Sequence, residues 1–168
     1  MTAALLGLAG VAQAATVDLT CPATNFQLNF TPPLSGTNKT ATVTGSAALA
    51  ECTTTNPAYR DLQSGDVTNV KGTATVSSHV PDGLCGVLFT ATGTATIQWQ
   101  PAGKDSNLTF TVSTDPTSPS GIALSATITS GPLKGDTVTA AGTAVPNCTT
   151  NGLASFTSTN TVVVFTHQ

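Results

Sequence analysis

The sequence predicts an all-β protein. The expected architecture is an antiparallel β-sandwich, Ig-like or jelly-roll-like, of about nine strands, with a closed β-barrel as the alternative. Three observations predict it. Apolar residues recur at every second position along most of the chain, which is the side-chain period of a strand and not of a helix. Clusters of Gly, Pro, Asn, Asp and Ser interrupt these runs at the spacing of about 8–12 residues expected of stacked short strands. The positions between the apolar ones are filled mostly by threonine, whose branched Cβ suits a pleated surface and whose hydroxyl tolerates water.

The clearest strand is Gly86–Gln100. Val87, Phe89, Ala91, Gly93, Ala95, Ile97 and Trp99 share one face, and Leu88, Thr90, Thr92, Thr94, Thr96 and Gln98 share the other. Gly93 marks a bulge or a bend. Before it, strands are expected at Thr16–Cys21 and at Phe26–Thr31, the latter closed by Pro32-Pro33 because proline cannot donate to a ladder. Thr40–Glu51 follows the turn Leu34–Lys39, and Val67–Ser78 follows a polar loop at Thr53–Asp66. His79–Leu84 (HVPDGL) reads as a turn. After Gln100, the segments PAGKDS, DPTSPS and GPLKGD are connections. They separate strands at Asn107–Thr114, Gly121–Ser130 and Thr137–Val145. Asn147–Leu153 is a loop, and Ser155–Thr166 is the last strand. Its Val162 and Val164 oppose Val163 and Phe165, so both of its faces are expected to be covered.

The chain of 168 residues is one domain by length and long enough for a core. Charged residues make up 8% of it and the formal net charge is −3. That balance provides no basic footprint for nucleic acid and no polybasic patch for anionic lipid. Ala3–Val11 is a short apolar run, and Ala12-Gln13-Ala14 fits the small-x-small pattern cut by signal peptidase. Residues 1–14 therefore read as a signal peptide and 15–168 as the exported domain. The basic residues that precede such a run are missing, so its start is expected to be truncated. The run is too short to span a bilayer, and no later segment reads as a membrane span.

Four cysteines in an exported chain imply two disulfides, with three possible pairings. Glu51-Cys52-Thr53-Thr54 echoes Asn147-Cys148-Thr149-Thr150, and Cys21 and Cys85 each lead into a strand containing Phe. Pairing within each half, Cys21–Cys52 and Cys85–Cys148, is favoured on that echo. No CxxC pair or nearby histidine pair points to zinc.

The stretch GTATIQWQPAGKDSNLTFTV, ending at Val112, and SGPLKGDTV at Ser130–Val138 resemble segments of small exported all-β proteins of actinobacteria such as streptomycetes. Those proteins carry Gly-Thr-x-Thr-Ile-x-Trp before a glycine turn, and their four cysteines sit in similar places. Here Lys104-Asp105-Ser106 stands where they continue from glycine into Ser-Thr. The resemblance implies export and an all-β fold and supplies no catalytic residue.

Catalytic equipment is scarce. Six of the eight carboxylates fall in expected turns or loops, where Asp caps its own backbone. His79 lies in a turn, and the penultimate His167 is expected to fray. No Gly-x-Ser-x-Gly elbow, phosphate-cradling loop or Asp-x-Asp run is present. No catalytic residue, cofactor or metal is expected. Trp99, in register with Phe89 and Ile97, is expected in the core. The first expectation for function is thus an exported, non-catalytic interaction or structural module whose partner is an extracellular protein or glycan. The second is a carbohydrate-binding or hydrolytic domain working through the loop residues Tyr59, Asp61, Lys134 and Asp136. The repeated Thr-x-Thr arrays at Thr90–Thr96, Thr40–Thr44 and Thr73–Thr75 resemble those of ice-binding solenoids, but threonine is also the ordinary solvent-side strand residue.

Overall fold

The computed structural model describes residues 13–115 and 117–168, without the side chains of residues 79–82, 115 and 118–120. The expected signal peptide lies almost wholly outside the described residues, as does the side chain of His79. Among the described residues the chain forms nine β-strands. These are β1 (Thr16–Leu34), β2 (Thr40–Leu49), β3 (Leu62–Leu84), β4 (Val87–Pro101), β5 (Lys104–Asp115), β6 (Ser118–Ser130), β7 (Thr137–Thr143), β8 (Val145–Thr149) and β9 (Gly152–His167). A single 3-10 turn, Pro57–Tyr59, sits between β2 and β3.

All pairings are antiparallel, and the strands from β1 to β7 follow one another in a meander. Strand β9 pairs with β7 through Val162–Thr166 and with β8 through Gly152–Thr157, while its other edge pairs with β1 from Thr16 to Leu34. This last ladder closes the sheet. The fold is therefore an eight-stranded antiparallel barrel, with β8 continuing the line of β7, and not the expected sandwich. Two-residue alternation is identical in the two architectures, since each buries one face of every strand. What separates them is whether the first and last strands meet, and here they do.

Curvature this tight needs places where the sheet can bend. Gly72 and Gly93 are cross-strand partners, just beyond a register shift in β3. A Cβ on Gly93 would collide with the Lys71 carbonyl oxygen, and one on Gly72 with that of Thr92. Glycine is needed there because two backbones approach too closely for any side chain. Gly93→Ala is expected to destabilise the fold by about 1–3 kcal/mol, read as a lower urea midpoint. An unchanged midpoint would show that the barrel relaxes at this corner.

The core fills the barrel in layers. At one end Phe30, Phe89 and Phe156 form a cluster with ring centroids 5.0–6.0 Å apart. At the other, Trp99 meets Phe165 edge to face at 5.7 Å. Trp99 is fully buried, as its register requires. Small residues line the waist between these layers, among them Ala95, Ala126 and Ala140. Outside, Thr31, Thr42, Thr73, Thr92, Thr111, Ser125 and Thr139 are successive exposed neighbours from β1 to β7. Hydroxyls thus clothe a sheet that carries few charges.

Several local expectations are corrected. Strand β1 runs through Pro32-Pro33 to Leu34, because β9 rather than a turn lies beside it there. The HVPDGL segment belongs to β3, and the chain reverses at Cys85-Gly86, both in the left-handed region. The loop expected over Asn147–Leu153 is largely the β8–β9 hairpin. The final strand is covered on one face only: Val163 and Phe165 point into the core, while Val162 is 48% exposed.

Disulfides bond Cys21 to Cys52 and Cys85 to Cys148. One lies at each end of the barrel. Cys85–Cys148 ties the β3–β4 turn to β8, and Cys21–Cys52 ties the segment before the 3-10 turn to β1.

Candidate functional site

The segment from Glu51 to Asp61 forms a strap across the Trp99 end of the barrel. It is held to β1 by the Cys21–Cys52 bond and by reciprocal hydrogen bonds in which the Thr20 and Thr53 amides each donate to the other residue's carbonyl, at 3.0 and 2.8 Å. The Thr54 hydroxyl donates to the Asp18 carbonyl at 2.5 Å. The Asn56 side chain caps the 3-10 turn by accepting from the Ala58 amide, a role suited to Asn ahead of a helical turn. Tyr59, at the end of that turn, packs half-buried against the core.

This end of the barrel gathers charge. Asp18 lies near the start of β1 and is 7% exposed. Asp136 closes the loop before β7 and is fully buried. His167, at the end of β9, places Nδ1 3.1 Å from Asp136 Oδ1. One donor atom from each of the three lies within 4.8 Å of the others. The second oxygen of Asp136, Oδ2, is buried and has no hydrogen-bond partner. Burial pushes the Asp136 carboxyl above the ordinary carboxylate range; the hydrogen bond to His167 pulls it down, and Asp18 adds to the rise by its charge and by a hydrogen bond between the two carboxyls. Burial, and then the Asp18 and Asp136 charges, hold the Tyr59 phenol above its usual value. Beneath this cluster the Trp99 indole Nε1–H donates to Ser106 Oγ at 2.9 Å, and Ser106 donates to the Pro132 carbonyl at 2.6 Å. The loop carrying Asp136 is fixed in this way to the core layer below.

Of the four residues singled out from the sequence, the fold brings Tyr59 and Asp136 into one electrostatic neighbourhood. Asp61 and Lys134 are exposed and take no part in it. Asp18 and His167 were missed. An aspartate between Val17 and Leu19, inside an apolar strand, was the signal for the first. His167 gave none, because it is held by pairing with Thr16 across the closing seam rather than frayed.

The second feature is a cavity of about 90 Å³ at the barrel waist, lined mostly by apolar side chains, with Thr24, Gln27 and Ser46 among the rest. Val67, Ala95, Leu108, Phe110, Ala126 and Val163 contribute to it from five different strands. Phe26, Ala47 and Val67 line its half-exposed side. There β2 and β3 part company, between the pairs Val43–Gly72 and Ala47–Val67. No helix among the described residues is long and apolar enough to cross a membrane. Comparison of the chain with protein-family models, with curated proteins and with solved structures finds no match.

Proposed function

We propose that this protein is an exported, non-catalytic β-barrel module that holds a small apolar molecule, or the end of a narrow aliphatic chain, in its lumen. The observation that carries the reading is the void at the waist, walled by alanines and aliphatic side chains where larger residues would have filled it. Cavities of about 150 Å³ with such walls stay dry and take benzene. One of about 90 Å³ suits a ligand of only a few carbons. Each methylene moved there from water contributes about 0.8 kcal/mol. Export is supported by the two disulfides and the Ala-rich leader pattern. The exposed hydroxyl rows set the barrel apart from lipid-facing barrels, whose outer surface is an apolar band. Among the described Phe, Tyr and Trp residues only Phe26 and Tyr59 reach the surface, each half-buried, which is a weak platform for a sugar.

Calorimetric titration with 1-hexanol, with xenon uptake in parallel, tests the reading. Saturable binding is expected, weakened at least tenfold in Ala126→Leu, which fills the void while preserving an apolar wall. Absence of saturable binding, equal binding by the filled variant, or turnover on a glycoside and ester panel would overturn it.

A further inference from the structure

We propose that Asp18, Asp136 and His167 form a binding site for one divalent first-row transition ion, zinc foremost, at the strapped end of the barrel. Three observations converge. The donor atoms come from three elements far apart in sequence and lie within 4.8 Å of one another. His167 Nδ1 and Asp136 Oδ1 are 3.1 Å apart in a hydrogen bond that an ion would displace, a separation close to the edge of about 3.3 Å between two ligands of tetrahedral zinc, and side-chain rotation would bring the wider pairs, within 4.8 Å, to that edge. Asp136 Oδ2 is a buried carboxylate oxygen with no hydrogen-bond partner, in a residue with no exposed surface. A buried acceptor of this kind is costly unless a proton shared with the Asp18 carboxyl or a bound cation satisfies it, and the cation also offsets both charges.

The donor set chooses the class of ion. Two carboxylates offset a double positive charge, and an imidazole nitrogen favours zinc, iron, nickel and copper over calcium, magnesium and manganese, which suit oxygen ligands. Asp18 and Asp136 are fixed by the fold: one sits in the β1–β9 seam, and the other is anchored by backbone hydrogen bonds between Ile128 and Asp136 and between Asp136 and Leu133. His167 is 58% exposed in its side chain and supplies the adjustable ligand. The ion would also bind β1, β9 and the loop before β7 to one another, reinforcing the seam that closes the barrel. The site is separate from the lumen, so its failure would leave the apolar-ligand reading standing.

The test uses the full chain, stripped with a chelator and then titrated calorimetrically with zinc, and with calcium in parallel. One zinc ion per chain is expected, with a saturable rise in melting temperature. His167→Ala, an exposed position that the fold tolerates, should weaken binding at least tenfold, whereas His79→Ala should leave it unchanged. Asp136→Asn should abolish the thermal shift. Absence of uptake, uptake indifferent to His167→Ala, or calcium binding as tight as zinc would each overturn the proposal.

Discussion

Reducing both disulfides is expected to lower the melting temperature by roughly 15–30 °C. The two bonds close loops with sequence separations of 31 and 63 residues. Chain-entropy arithmetic assigns loops of this size about 4 kcal/mol each, and for a chain of this length each kcal/mol is worth about 2–4 °C. The effect divides between the ends of the barrel. Cys21→Ala with Cys52→Ala frees the strap, so the amides of Thr20 and Thr53 should exchange with solvent faster while the Phe30–Phe89–Phe156 end keeps its protection. Cys85→Ala with Cys148→Ala should do the reverse, loosening the β8–β9 hairpin. Thermal melts with and without reductant, and hydrogen exchange on the two pairs of variants, check this. A shift below about 5 °C, within the effect of one or two kcal/mol, would mean that the barrel seam alone holds the fold.

Trp99→Ala is expected to cost about 3–5 kcal/mol, a fall in melting temperature of roughly 6–20 °C. Trp99 is fully buried, it packs edge to face on Phe165, and its indole nitrogen donates to the equally buried Ser106. Truncation opens a large void and deprives the Ser106 hydroxyl of its donor. Trp99→Phe separates the two losses: it keeps most of the ring volume and removes only the hydrogen bond, so it should cost about 1 kcal/mol. Trp99 is also the only tryptophan. Its emission should be blue-shifted in the native state and move red in one step on unfolding. If Trp99→Phe is as damaging as Trp99→Ala, the bond to Ser106 and the Pro132 loop matters more than packing at that end.

These two expectations stand on different footings in the sequence. The burial of Trp99 was legible from residue numbers, because it shares parity with Val87, Phe89, Ala91 and Ile97, and β4 keeps that parity throughout. The same holds for Leu108, Phe110 and Val112 in β5 and for Ile122, Ala126 and Ile128 in β6. The turns were less legible. Pro-Asp-Gly at Pro81–Gly83 lies within the bounds of β3, yet in a break of the ladder, because His79 and Leu84 both pair with Val87. Its turn chemistry makes a bulge there, and the reversal itself falls at Cys85-Gly86.

The candidate site was half legible. Tyr59 and Asp136 drew notice as polar residues in loops, and they meet at the strapped end. Asp61 and Lys134 drew notice for the same reason and remain in solvent. Asp18 and His167 stand 149 positions apart (167 − 18) and come together only because β1 lies beside β9. No spacing rule reaches across such a separation.

The sequence by itself determined an all-β chain, the inward and outward faces of its strands, a threonine-clad exterior and a four-cysteine framework. Each of these follows from side-chain chemistry at a period of two, a property of neighbouring residues. Only the tertiary structure decided that the sheet closes into a barrel and that an apolar void remains at its waist. It also decided that two buried aspartates and an exposed histidine share one corner of the barrel. Those outcomes depend on where the first and last strands meet, and that pairing is set by the packing of the whole sheet.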